Sequence, residues 1–277
     1  MSKRYVLAIL LIIFSLLLEN CLTMRTSDSR AIRRFQKKGI SLIPHMIHID
    51  GHSIHYVSVG ADTMRTIVFV HGSPGSWTAF KRYLMDAGLR SQFRLIGIDR
   101  PGFGYSEYGQ AISLLQNCRV ISAFLDSIYT GKPLLLVGHS LGGSIVPIVA
   151  AENPDRVSAI IILAGALDPA VEPREPWVYP FTRTPWRYLV PGAFRQGNDE
   201  EWLFKTDILR LKEKLPLIRC HVYILHATND AIVDVRNVDY IKRTFTSAVV
   251  TDTIFPRGGH FIPWNHSDYI IRLLSHL

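Results

Sequence analysis

The chain has 277 residues, 48% of them hydrophobic and 19% charged, with 19 glycines and 15 prolines. This composition excludes disordered and low-complexity classes, and the length buries a large core without disulfides. The net charge of +8 comes without an aromatic-interleaved basic face or reader motif, which argues against nucleic acid as the partner.

Lys3 and Arg4 precede an apolar run from Tyr5 to Leu18 that only Ser15 interrupts. A bilayer core takes roughly 20 helical residues, so this shorter run reads first as a secretory signal peptide. Cys21, Leu22 and Met24 extend its apolar character and keep a signal anchor open. A buried helix of a cytosolic protein is the third reading. Cys21 also resembles the lipid-attachment cysteine of bacterial lipoproteins, although Asn20 stands where a small residue is preferred. The expectation is an exported, membrane-associated protein in which residues 1–21 are a signal peptide or anchor.

Residues 22–45 read as a basic linker. Arg25, Arg30, Arg33, Arg34, Lys37 and Lys38 are opposed there only by Asp28. Such a cluster either meets anionic head groups or is a solvated spacer.

The catalytic domain is expected over 46–277. Alternation in Met46–Asp50 and Ser53–Val59 around Gly51 predicts a hairpin. Short, nearly continuous apolar runs follow at Thr66–Val70, Phe93–Ile98, Pro133–Val137, Val157–Leu163, His221–Leu225 and Ala248–Ile254. Strands buried on both faces read this way. Helical periodicity covers Ile112–Ile128, Leu141–Glu152, Asp234–Phe245 and Trp264–Leu277. The alternation predicts an α/β fold, a mostly parallel sheet covered by helices, with chemistry at the carboxyl ends of its strands.

Between Leu167 and about Lys205 the rhythm breaks. That stretch holds six prolines, and Trp177, Tyr179, Phe181, Trp186, Tyr188, Phe194, Trp202 and Phe204. It reads as an inserted cap. Its aromatics either line a pocket for an apolar acyl or aryl group or pack the cap onto the core. Cys118 and Cys220 read as buried free thiols rather than a pair. No cysteine or histidine spacing suggests a metal site, and no cofactor is expected.

Gly138-His-Ser-Leu-Gly142 follows an apolar strand and precedes a helix. In that setting a G-x-S-x-G sequence lifts the serine hydroxyl above the sheet on a strained turn. The helix N-terminus then faces developing negative charge. Here the chain resembles the α/β-hydrolase family, from about Met46 to Leu277. The resemblance implies a Ser-His-Asp triad with Ser140 as nucleophile. His71-Gly-Ser-Pro-Gly75 is similar to the family's oxyanion loop, which implies N–H donors from Ser73 and Leu141. Asp99-Arg-Pro-Gly-Phe-Gly-Tyr-Ser106 resembles a structural turn of the family and is not catalytic.

Among eleven histidines, His260 follows the last strand, where the family carries its base. His71, His139 and His226 fall in structural motifs, and His45, His48, His52 and His55 read as surface or pairing residues. The acid is expected between serine and histidine in chain order. Asp230 fits best, with Asp168 and Asp234 as alternatives, the latter explained by helix capping.

Ser140 argues against dehalogenase and epoxide-hydrolase branches, which need a carboxylate nucleophile. Leu141 argues against proline iminopeptidases, which typically carry tryptophan there. Hydrolysis of a small carboxylic ester is the broadest remaining activity. Carbon–carbon-bond hydrolases, haloperoxidase-like enzymes and a non-catalytic binding protein are the alternatives.

Overall fold

A computed structural model describes residues 22–172 and 176–277, together with Tyr5, Val6, Phe14 and Leu17. The N-terminal signal or anchor expectation, Cys21 included, lies largely outside the described residues. Among the described residues no helix is long and apolar enough to cross a membrane.

The first element departs from the linker expectation. Asp28–Gln36 form helix α1, with Ala31 and Phe35 buried. These two side chains are four apart and share one helical face. Phe35 packs 6.2 Å from the Trp77 ring. Ile40 and Leu42 are buried as well. Arg30, Arg33, Arg34, Lys37 and Lys38 all remain exposed. The stretch is therefore an amphipathic part of the domain rather than a spacer.

β1 (Ile43–Ile49) and β2 (His52–Val59) form the hairpin. β3 (Arg65–Val70) leads into two short helices, α2 (Lys81–Met85) and α3 (Ala87–Gln92), which were not foreseen. Each is too short for a periodic signal to register. Asp86 caps α3 by accepting from the Leu89 N–H at 2.9 Å. β4 (Phe93–Ile98) follows. α4 (Leu114–Ile128) begins two residues later than expected because Ser113 and Gln116 form a capping box. β5 (Leu134–His139), α5 (Leu141–Glu152) and β6 (Val157–Leu163) come next.

The cap consists of 3₁₀ turns at Pro176–Thr182 and Trp186–Leu189, then α6 (Ala193–Leu211), which runs past the expected limit. Its aromatics divide, with Phe181 and Trp202 half-buried. Phe204 is buried, but Trp177, Tyr179, Trp186, Tyr188 and Phe194 are exposed. β7 (His221–Ala227), α7 (Asn237–Thr244) and β8 (Val250–Phe255) complete the sheet. The terminal helix is broken into α8 (Ile262–Asn265) and α9 (Ser267–Ser275). At the break, the His266 ring stacks on Phe255 and bonds the Arg257 carbonyl at 2.7 Å.

The eight strands lie in the order β1-β2-β4-β3-β5-β6-β7-β8. β1–β2 and β2–β4 are antiparallel, and all other pairs are parallel. Successive side chains point to opposite faces. Val68, Ile96, Leu136 and Ile160 therefore join the core under α4, α5 and α6. Ile67, Leu95, Leu135 and Ile161 join the one under α1, α2 and α9. Two covered faces explain the continuous apolar runs. Of the hairpin histidines, His55 is no surface residue. It is buried, with Nδ1 2.8 Å from Asp99 and Nε2 3.2 Å from Asp28.

Candidate active site

Ser140 occupies the single residue between β5 and α5, at φ +53° and ψ −122°. A residue with a side chain is strained there. The Ser140 N–H donates to the Leu163 carbonyl at 2.9 Å, and the Gly143 N–H donates to the Ser140 carbonyl at 2.8 Å. Close neighbours also force the turn. A Cβ on Gly142 would fall 2.3 Å from the Val70 carbonyl oxygen, and one on Gly72 would fall 2.8 Å from Ser140 Cβ. The second approach brings the His71–Gly75 loop directly against the serine. Leu141 opens α5 directly after Ser140, and Ser73 follows Gly72 in that loop. The first N–H groups of a helix have no intrahelical partner.

His260 is buried in a 3₁₀ turn at Gly259–Phe261, just after β8. Its Nδ1 lies 2.9 Å from Asp230 Oδ2. Asp230 follows β7, and its Oδ1 accepts from the N–H groups of Ile232 at 2.8 Å and Val233 at 2.9 Å. His226 Nε2 lies 3.5 Å from Asp230 Oδ2. Burial pushes the Asp230 carboxyl upward, but the bonds to His226, His260 and the Val233 N–H outweigh it and hold it well below the usual carboxylate range. An ionised Asp230 requires Nδ1–H on His260, which leaves Nε2 as an acceptor.

His139 sits beside this pair. Its Nε2–H donates to the His260 carbonyl at 2.9 Å, and the two rings are 4.9 Å apart. Burial, and then the neighbouring His260 ring, lower its pKa to about 3, so the ring is neutral. Ser140 and His260 are joined through this neighbour; the serine hydroxyl itself makes no hydrogen bond to the His260 ring. Catalytic bonds are often loose without substrate.

Asp168 and Asp234 are used elsewhere. Asp168 Oδ1 accepts from the Ala170 N–H at 2.8 Å. Asp234 accepts from the Arg236 N–H and guanidinium at 2.8 and 2.6 Å. Neither hydrogen-bonds His260. Among the described residues no group of His, Cys, Asp and Glu could hold a metal ion.

Residues 65–190 match the alpha/beta hydrolase fold family. That stretch carries β3 to β6, with Ser73, Ser140 and Leu141 at their carboxyl ends. The chain has the α/β-hydrolase fold. It is 30% identical over 120 residues to the uncharacterized hydrolase YugF of Bacillus subtilis, covering 43% of each chain. It is 34% identical over 119 residues to a 2-hydroxy-6-oxononadienedioate/2-hydroxy-6-oxononatrienedioate hydrolase of Burkholderia vietnamiensis, covering 40% of each. The chain thus spans about two fifths of the length of these curated relatives. A crystal structure of a membrane phospholipase A, a bacterial virulence factor, superposes at a TM-score of 0.61 over 100% of both chains, at 18% identity. At that identity the likeness is one of fold.

The first loop is secured through Arg100, whose motif reads in the sequence only as a structural turn. Arg100 is fully buried. Its N–H donates to His71 Nε2 at 3.0 Å, its Nε–H to the His71 carbonyl at 3.0 Å, and its Nη2 to the Gly72 carbonyl at 3.1 Å. Glu200, on α6 of the cap, grips the same guanidinium at 2.6 and 2.9 Å. His71 completes the arrangement by donating from Nδ1 to the Gly72 carbonyl at 2.7 Å. Its pKa is driven well below the usual value, first by burial and then by Arg100. No sequence signal pairs Glu200 with Arg100, because they are 100 positions apart and Glu200 lies inside the cap.

Proposed function

We propose that this α/β-hydrolase cleaves a small carboxylic ester through an acyl-enzyme intermediate, with Ser140 as nucleophile, His260 as base and Asp230 as orienting acid. The observation that carries the reading is the 2.9 Å bond from His260 to a doubly anchored Asp230, beside a serine on a strained strand-to-helix turn. His260 Nε2 takes the Ser140 proton as Oγ attacks the carbonyl carbon. The oxygen becomes negative and accepts from the Ser73 and Leu141 N–H groups, each worth about 3 kcal/mol in the transition state. Collapse restores the carbonyl and breaks the C–O bond, and the alcohol leaves with the proton from His260. Water then gives a proton to His260 and attacks the acyl carbon. The acid departs and Ser140 regains its proton.

The deciding experiment is labelling with a fluorophosphonate probe. Wild-type protein should label and Ser140→Ala should not. No labelling of folded wild type, or equal labelling of the variant, would sink this reading and favour a binding protein.

A second reading is carbon–carbon-bond hydrolysis. It is favoured by the Burkholderia vietnamiensis relative, which is named a 2-hydroxy-6-oxononadienedioate/2-hydroxy-6-oxononatrienedioate hydrolase. p-Nitrophenyl esters of graded chain length, assayed beside a ring-cleavage dione, separate the two. Turnover of the dione alone would replace the ester.

The N-terminal apolar run supports a membrane tether, as a signal anchor or through a lipid on Cys21. Intact mass decides between them, since a lipidated Cys21 adds a lipid-sized increment.

A further inference from the structure

The described N-terminal strap is fastened to the cap. The Ala193 N–H, at the start of α6, donates to the Leu22 carbonyl at 3.2 Å. The Ser76 hydroxyl donates to the Met24 carbonyl at 2.7 Å. The Arg25 guanidinium lies 4.5 Å from the ring centres of both Tyr105 and Tyr108. Leu18, the last residue of the apolar run, is four residues from Leu22. A chain that short spans at most about 14 Å. Wherever the run enters a bilayer, the start of α6 is held close to it.

The surface at that position has an unusual composition. Of the three arginines within 176–198, Arg187 pairs with Asp199 at 2.6 Å and Arg195 is buried. Trp177 is 64% exposed, Trp186 56%, Tyr188 47%, Leu189 47% and Phe194 39%. Arg183 is also exposed. Apolar side chains clustered on a surface mark an interaction site. Tryptophan and tyrosine favour the level of lipid head groups, where an indole or phenol is half apolar and half hydrogen-bonding. Arginine favours the anionic lipid beside it.

We infer that the cap segment 176–194, through its exposed Trp177, Trp186, Tyr188, Leu189, Phe194 and Arg183, docks on the surface of an anionic lipid bilayer. Docking would seat the cap at the level of the head groups, so that an ester carried in the bilayer meets the enzyme without first dissolving in water. This rests on the tether proposed above and names its consequence for the substrate: an ester of a membrane-partitioning acyl chain.

The test uses full-length protein reconstituted into phosphatidylcholine–phosphatidylglycerol vesicles that contain lipids brominated along the acyl chain. Bromine quenches tryptophans that reach the bilayer. Wild-type fluorescence should be quenched, and Trp177→Phe/Trp186→Phe should lose most of the quenchable fraction. Absent quenching, quenching indifferent to the double substitution, or failure of the protein to associate with vesicles overturns the docking. In parallel, Trp186→Ser/Leu189→Ser should keep activity on p-nitrophenyl acetate within about twofold while activity on a vesicle-embedded ester falls about tenfold. Equal loss on both substrates, or on neither, also overturns it. A wild type that hydrolyses neither ester defeats the hydrolase reading instead, and the quenching experiment still decides the docking.

Discussion

At the scale of single residues, the site depends on backbone that a side chain resists. Ser140 holds a positive φ in a turn bonded to Leu163 and Gly143, with Gly142 pressed against the Val70 carbonyl. Asp230 has a different task, to select the tautomer of His260. Asp230→Asn keeps the shape but offers an amide to Nδ1, and kcat on a p-nitrophenyl ester should fall about 10⁴-fold. An unchanged melting profile would separate this from unfolding. The same carboxylate links stability to acid. Its folded pKa lies below the unfolded one, so its contribution is present above the unfolded value, about 4, and disappears as pH falls through the folded value. Chemical denaturation in this acid range should therefore show wild type losing more stability than Asp230→Asn.

At the scale of elements, two buried ionic contacts join parts that are distant in sequence. Arg100 and Glu200 tie the cap helix α6 to the loop that approaches Ser140. Both are buried, so removing one leaves a buried charge without its counter-charge. Glu200→Ala should cost about 3–5 kcal/mol in urea unfolding, whereas Arg100→Met/Glu200→Leu should recover a good part of it. His55 joins α1 to the hairpin and to the Asp99 turn, with Tyr105 packed edge-on at 5.5 Å. Burial lowers its pKa, but Asp99 and then Asp28 more than compensate, and the net shift is upward. A raised pKa gives stability that is complete below the unfolded value and lost as pH rises through the folded one. Melting temperature should thus decline above about pH 6.5 in wild type and stay flatter in His55→Gln.

At the scale of the whole molecule, burial on both faces of one sheet supplies the stability, with no disulfide among the described residues. Cys118 is buried and Cys220 half-buried, and both are free. Burial raises both thiols, that of Cys220 to about 11. Dithiothreitol should leave the melting temperature unchanged; a drop of several degrees would reveal a bridge that matters.

The sequence by itself determined the strand–helix order, because a sheet covered on both faces needs continuous apolar runs, and those are local. It also picked out Ser140, since a strained turn between strand and helix requires glycines close in sequence. His260 and Asp230 could be nominated only by their positions after the last two strands. Their 2.9 Å bond is a matter of tertiary structure, because it depends on the parallel register of β7 and β8. Tertiary structure alone decided the rest. The basic stretch became an amphipathic helix because Phe35 found Trp77, 42 positions away. His55 went inside because two aspartates from separate elements met it there. Phe204 joined Ile208 and Leu211 in the core with α4 and α5, while Trp177, Tyr179, Trp186, Tyr188 and Phe194 stayed exposed. Hydropathy says that a side chain avoids water; only the folded chain says what it has to touch instead.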